Sequence, residues 1–404
     1  PLRIYYNKEK LDVTKKLMDE DSKVRYNYKS TYFKNNNNLL KWQYELKASK
    51  RHQFFNESPL FSTVLDSALS KEINQKFADY YSIIKISTSF YFGVYGIEAV
   101  KFANKFFTLM NTKSDNEFRI SRENLINTSK SFYKTYNSTI DKKIFDKFIL
   151  SFIRNVPEKY QLPVIREEFK GLNELQIKNK ASDLLNNSIF IDEKLLDILN
   201  KDNRLIQKKI KNDFIFKLSE QSFEKYRDID LEIKNKLMQT DSIQRIVLKR
   251  ILDNKEMVYP DANLTLRMTY GRIKSLESDD GIKYNYKTIA TGLIEKMNSN
   301  NPNYEKDSLF ISMYNNDPAK FDTTTFCYLA NCHTTGGNSG SPTIDGKGNL
   351  IGLNFDRVTY SCIGDYRYNP TLFRNCILSS EFIIFMLKDY SKAQHVLNSI
   401  NVIE

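Results

Sequence analysis

The 404-residue chain carries 61 Lys and Arg against 49 Asp and Glu, a net charge of +12, with 41% hydrophobic and 27% charged residues. That length allows two or three domains, and that balance belongs to a globular protein rather than a disordered or fibrous one. No run approaches the roughly 18–20 uninterrupted apolar residues of a membrane span, and even Ile377 to Leu387 is broken by Ser379, Ser380 and Glu381. A basic balance suits nucleic acid, but no Arg-rich stripe or nucleic-acid motif accompanies it, so the Lys-rich surface reads as solvated or mildly attractive to acidic peptides.

The chain opens Pro1-Leu2-Arg3-Ile4, with neither Met nor a basic-then-apolar leader, which suggests a processed or truncated product. Up to residue 255 glycine is scarce, with only Gly93, Gly96 and Gly171, while Lys, Glu, Leu and Ile are dense. Such a composition favours helix. Apolar spacing of three and four predicts helices within 62–113, 118–154 and 205–238, with Pro157 and Pro163 bracketing a connection. Thr240-Asp241 reads as an N-cap for a helix whose face is Ile243, Ile246, Val247, Arg250 and Ile251. Trp42 and Phe90-Tyr91-Phe92 read as core.

From residue 256 the character changes, and ten glycines mark turns between strands. Leu264 to Tyr270 alternates and stops at Gly271, so a strand is expected there. Phe326-Cys327-Tyr328-Leu329 predicts another, and Leu350 to Phe355 a third, entered through a hairpin turn at Asp345-Gly346-Lys347-Gly348. A helix is expected from Ser380 to Asp389. The four cysteines, Cys327, Cys332, Cys362 and Cys376, form no CxxC pair and no zinc spacing. They suit either disulfides in an exported protein or buried free thiols. No metal or cofactor is expected.

The chemistry is carried by Thr335-Gly336-Gly337-Asn338-Ser339-Gly340-Ser341-Pro342. A chymotrypsin-like serine loop must hold one hydroxyl outward and aim two backbone N–H groups at a developing oxyanion. Those N–H groups belong to the serine and to the residue two before it, where a side chain would hinder the turn. Ser339 and Gly337 satisfy that offset; Ser341 does not. A triad also needs a base, and the histidines are His52, His333 and His395. His333, six residues before Ser339, falls at the floor of the pocket for the residue preceding the scissile bond. His52 lies in the helical part and His395 near the C-terminus. The catalytic His and Asp are therefore expected outside this chain.

The sequence resembles the dipeptidyl-peptidase 7 and 11 family of bacterial exopeptidases. The resembling residues are Tyr259 to Gly271, Thr335 to Pro342, Gly352-Leu353-Asn354-Phe355-Asp356-Arg357, Gly364-Asp365 and Tyr368-Asn369-Pro370, with Pro1-Leu2-Arg3-Ile4 like the start of the family's helical insertion. The resemblance implies an α+β fold: a large all-helical domain, 1–255, capping the cleft, then the C-terminal part of a chymotrypsin-like double β-barrel, 256–404. It implies a serine dipeptidyl aminopeptidase that releases dipeptides from free N-termini. In that family a buried carboxylate and an asparagine hold the substrate's α-ammonium. Asp356 matches the carboxylate, and Asn38 matches the asparagine best, although Asn35, Asn36 and Asn37 leave the register open. An arginine where Arg357 stands goes with Asp or Glu as the second substrate residue. His333 stands where the family has Asp. The resemblance also implies a missing N-terminal fragment bearing His and Asp, a homodimer and an extracytoplasmic location. The alternative is a catalytically inactive relative kept as a binding or structural subunit. An endopeptidase is a third reading.

Overall fold

A computed structural model describes residues 1–51, 67–112, 114–253, 265–278, 281–299, 304–365 and 368–403. The chain is mostly helical, with small antiparallel sheets. It divides into two compact units, one of residues 1–40 and 55–259 and one of residues 41–54 and 260–404.

The first unit is built from helices, among them Leu2–Glu20, Ser67–Thr88, Asp115–Thr135, Ser138–Asn155, Glu174–Asn186, Asn203–Asn212 and Phe214–Asp253. Its core is aromatic: Phe90, Phe106, Phe145, Phe148, Phe152, Phe190 and Phe216 are all at most 1% exposed. Edge-to-face pairs such as Phe90 with Phe152, centroids 4.9 Å apart, add direction to burial that area alone does not give. Within Phe90-Tyr91-Phe92 only Phe90 is fully buried; Tyr91 is exposed and Phe92 half-buried. Three consecutive residues cannot share one helical face. Trp42 is half-buried.

Short polar side chains decide where these helices break. The expected run 118–154 is two helices divided at Asn137, whose side chain accepts from the Thr139 N–H. The run 205–238 is likewise divided, at Asp213. Its carboxylate accepts from Ile215 N–H at 2.8 Å, from Ile189 N–H at 2.8 Å and from the Ser188 hydroxyl at 3.0 Å. Pro163 opens the helix Pro163–Phe169, as its missing N–H allows. The Thr240-Asp241 cap is not formed. Helix Phe214–Asp253 runs through it, and the Thr240 hydroxyl donates back to the Leu237 carbonyl at 2.7 Å. A threonine so bonded sits inside a helix instead of starting one. Ile243 is buried, but Ile246 is exposed.

Asp141 joins two helices. Its fully buried carboxylate accepts from Glu98 N–H at 3.0 Å, Ala99 N–H at 2.8 Å and the Tyr136 hydroxyl at 3.0 Å, and so caps helix Glu98–Ala103 from a distance. Burial pushes this carboxyl up to about 6, helped by Glu98 and opposed by Lys10 and the two N–H groups. The folded chain therefore binds the proton more tightly than the unfolded chain, whose carboxyl titrates near 3.8. Asp141 should thus withdraw stability as pH rises from about 4 through about 6. Urea denaturation of wild type and Asp141→Asn at pH 4.5 and 7.5 checks this: the difference between the two proteins should shift across the window in favour of the variant as pH rises.

The second unit contains the strands β1 (Leu276–Glu277), β2 (Lys283–Tyr284), β3 (Lys287–Ile289), β4 (Thr325–Ala330), β5 (Pro342–Ile344), β6 (Leu350–Arg357) and β7 (Asn375–Ser379). β1 and β2 pair together, and the others form an antiparallel sheet in the order β3-β4-β7-β6-β5. Ala290, Ile294, Phe310, Phe321, Phe382 and Phe385 pack as its core. The strands expected at 326–329 and 350–355 are present, as is the turn between β5 and β6, where Gly348 N–H meets the Asp345 carbonyl at 3.1 Å. The helix expected from Ser380 forms, and changes to π-helix over Met386–Tyr390. Among the described residues no helix is long and apolar enough to cross a membrane.

One expectation changes here, and one open alternative is decided. Residues 265–270 form no strand; Leu266, Met268 and Tyr270 are 102%, 81% and 89% exposed. Leu264 and the residues from 254 lie outside the described residues. Alternation supplies an apolar face, but a strand also needs a backbone ladder, and among the described residues the first bridge after 265 is Ile273 to Ala330. The four cysteines are free thiols. Burial pushes Cys327 up to about 11 and Cys376 up to about 12.

Candidate active site

Ser339 lies in the loop that leads into β5. Gly337 at φ +102° and Gly340 at φ +83° hold the loop in left-handed backbone that other residues adopt only under strain. Asn338 ties the turn at both ends: its N–H donates to the Thr335 carbonyl at 3.2 Å, and its side-chain oxygen accepts from Thr335 N–H at 2.9 Å. Gly340 N–H meets the Asn354 carbonyl at 2.7 Å, and Asn354 N–H meets the Ser341 carbonyl at 2.9 Å, which docks the loop onto β6.

The result is an exposed hydroxyl. Its own donor is turned to the Phe355 carbonyl at 3.1 Å. Among the described residues the N–H groups of Gly337 and Ser339 meet no acceptor. Two unsatisfied N–H groups flanking an exposed hydroxyl can stabilise an anion formed at that oxygen's target. No described histidine hydrogen-bonds Ser339. His333 Nε2 is 2.9 Å from the Gly364 carbonyl, with its ring against Tyr368 and Phe373. His395 is in the short helix Gln394–Leu397. His52 lies outside the described residues.

A buried amide chain supports the loop from below. Asn354, 6% exposed, donates from Nδ2 to the Asn338 carbonyl at 3.1 Å and accepts at Oδ1 from Asn375 Nδ2 at 2.8 Å. Neither Asn354 nor Asn375 has a sequence signal beyond its place in a strand. Their role comes from β6 and β7 lying side by side.

β6 also carries Asp356 and Arg357. The β6–β7 register slips between Asn354 and Asp356. Phe355 is left without a partner on β7, and the strand bends there. Asp356 is exposed, and its Oδ1 accepts from Arg357 N–H at 2.8 Å. The carboxylate is thus exposed where the resemblance implies a buried one. Arg357 is held by Asp365: Nη1 donates to Oδ1 at 2.7 Å and Nη2 to Oδ2 at 2.6 Å. Nη1 also donates to the Thr334 carbonyl at 3.2 Å.

Asp365 has further donors in the Thr335 hydroxyl at 2.6 Å and in Lys41 Nζ at 3.2 Å. Burial alone would raise its carboxyl, but the bonds from Arg357 and Thr335 outweigh it and hold the group well below the usual carboxylate range. Sequence reading assigned no role to Asp365 or Lys41. The signal available was an arginine at a strand end, half-buried, that would need an anion close by. Asn38 is exposed on helix Ser22–Arg51 and counts with the first unit. The structure thus brings Ser339, Gly337, Asp356, Arg357 and His333 into one unit, with His333 bonded to Gly364 and Arg357 to Asp365 next to it.

The chain matches the peptidase S46 family over residues 1–402. It is 28% identical to the Asp/Glu-specific dipeptidyl-peptidase of Flavobacterium psychrophilum, over 100% of this chain and 59% of that protein. It is 25% identical to dipeptidyl-peptidase 7 of Capnocytophaga gingivalis, again over 100% of this chain and 59% of the relative. Among solved structures it resembles DPP11 of Porphyromonas endodontalis, with a TM-score of 0.82 and 22% identity over 98% of this chain and 60% of that one. The same protein in complex with the dipeptide Arg-Glu gives a TM-score of 0.81 at 22% identity, over 98% and 60%. The chain spans about three-fifths of the length of these relatives. Its match along nearly its whole length makes it a member of the peptidase S46 family.

Proposed function

We propose that this chain carries the nucleophile of a serine dipeptidyl aminopeptidase that releases dipeptides from free peptide N-termini and prefers Asp or Glu as the second residue. The observation that carries the reading is the exposed Ser339 hydroxyl beside the N–H groups of Gly337 and Ser339, which meet no protein acceptor among the described residues. Two relatives named Asp/Glu-specific dipeptidyl-peptidase, and a structural relative captured with Arg-Glu and with Arg-Asp, support the substrate class.

In this reading the five-stranded sheet belongs to the second barrel of a chymotrypsin-like fold. Ser339 Oγ attacks the carbonyl carbon after the second residue, and its proton passes to a histidine supplied from outside this chain. The carbonyl electrons move to oxygen, where Gly337 and Ser339 N–H stabilise them. The bond to the leaving amine breaks, the amine takes the proton, and water then releases the dipeptide from the ester. Asp356 pairs with the substrate's α-ammonium; its exposure leaves it open to a cation. Arg357 receives the acidic side chain. His333 at the pocket floor, in place of a carboxylate, removes one negative charge from that region. The protein acts outside the cytoplasm, as a homodimer, with the N-terminal segment that bears the base.

A second reading is an inert subunit, and the Phe355 carbonyl that already holds the Ser339 hydroxyl at 3.1 Å favours it. The two separate on the native full-length protein with a Leu-Asp fluorogenic peptide, free or N-acetylated. The proposal expects turnover of the free peptide and loss of about a hundredfold or more on acetylation, as befits a lost charge-assisted contact. No turnover of either would sink it; equal turnover of both would indicate an endopeptidase.

A further inference from the structure

Arg357 is half of an ion pair before any substrate arrives, which bears on how it could receive a second carboxylate. A guanidinium has five N–H groups in one plane. Nη1 uses both of its own, on Asp365 and on the Thr334 carbonyl, and Nη2 uses one on Asp365. The Nε–H and the second Nη2–H remain, and among the described residues no acceptor meets them. By the geometry of the group these two lie parallel along one edge, spaced for a second bidentate carboxylate. The end-on fork is closed and the side-on fork is open.

The closed fork is firmly held. Asp365 accepts from Arg357 twice, from the Thr335 hydroxyl and from Lys41. The Arg357 side chain is 10% exposed, so rotation away from Asp365 would strand a guanidinium with little access to water. Thr335 opens the Ser339 loop, and Lys41 lies on helix Ser22–Arg51, with Glu45 3.7 Å from its ammonium. Asp365 therefore links Arg357, the nucleophile loop and that helix.

We propose that Asp365 is a positioning residue for substrate selection: it clamps one edge of Arg357 and so presents the other edge to the acidic side chain of the substrate's second residue. This rests on the acidic-residue reading above and adds the residue that makes it selective. Were Asp365 instead a competitor for Arg357, removing its charge would strengthen acidic substrates. The two roles predict opposite signs.

The experiment compares kcat/KM for dipeptidyl substrates with Glu or Gln second, on the native full-length protein and on Asp365→Asn. An amide cannot accept at both oxygens, so the clamp opens while the shape is kept. The Glu-to-Gln ratio should fall by about tenfold or more, through a higher KM for the Glu substrate, as loss of one charged contact implies. A merely structural role would lower both substrates together and leave the ratio unchanged, which would overturn the inference. A raised ratio would overturn it too. Should Asp365→Asn fail to fold, Lys41→Gln serves: it loosens Asp365 from the helix side, and the ratio should fall by about threefold, with no change counting against the inference. A wild-type ratio near one would instead overturn the acidic-residue reading itself, and this inference with it.

Discussion

Ser339→Ala is expected to lower kcat/KM for dipeptide release by about ten-thousandfold or more, because removal of a nucleophile leaves only the donors and binding contacts to act. Those remain intact: the N–H groups of Gly337 and of residue 339 are backbone, and the bonds at Asn338, Gly340 and Ser341 that shape the turn do not use the Ser339 side chain. Substrate binding should therefore survive, and KM should change far less than kcat. Ser341→Ala is the control. The backbone of Ser341 is bonded to Asn338 and Asn354, but the turn needs nothing from its hydroxyl, so the loss should stay within about threefold. Comparable losses in the two variants would mean that the assignment of the nucleophile to Ser339 is mistaken.

Arg374→Met is expected to destabilise the second unit by about 3–5 kcal/mol, the usual cost of breaking a buried charged network. Arg374 is 1% exposed and is surrounded by carbonyls. Nε donates to Lys274 and Ser275 carbonyls at 3.1 Å, Nη2 to Ser275 at 2.8 Å, and Nη1 to Pro370 at 3.0 Å and to Phe373. Burial pulls its pKa down from the usual value, yet the carbonyl dipoles give the cation a substitute for water. The arginine thereby fastens the segments at 274–275 and 370–373 to the start of β7. Met has the volume but no donors, so several buried carbonyls lose their partners at once. Lysine is not expected to rescue, since one ammonium cannot reach both sides of a planar fork. Urea denaturation checks this; a change under about 1 kcal/mol would show that those carbonyls are satisfied otherwise.

What could be read from sequence was local. Gly337, Ser339 and Gly340 are legible because a turn with two left-handed residues and an outward hydroxyl admits few sequences. The helices of the first unit show in their periodicity, and the breaks at Asn137 and Asp213 were missed because an Asn or Asp in a helical run reads the same whether it faces water or caps. The segment 265–270 shows the reverse failure, an alternation that forms no strand among the described residues. At the site, Asp356 and Arg357 are neighbours on one strand and could be named. Asp365 and Lys41 come from a loop and from a helix more than 300 residues earlier in the chain. Arg374 and the pair Asn354–Asn375 are also long-range. No spacing encodes a contact that only the folded sheet creates.

The most direct test of the central claim is labelling of the native full-length protein with a fluorophosphonate probe, followed by mass spectrometry of the modified peptide. Such a probe reacts with a serine only when its proton has a base to go to. The account predicts one modified residue, Ser339, with labelling abolished in Ser339→Ala and slowed by a competing peptide that has a free N-terminus and Asp second. An unlabelled protein, or a label on Ser341, would contradict it.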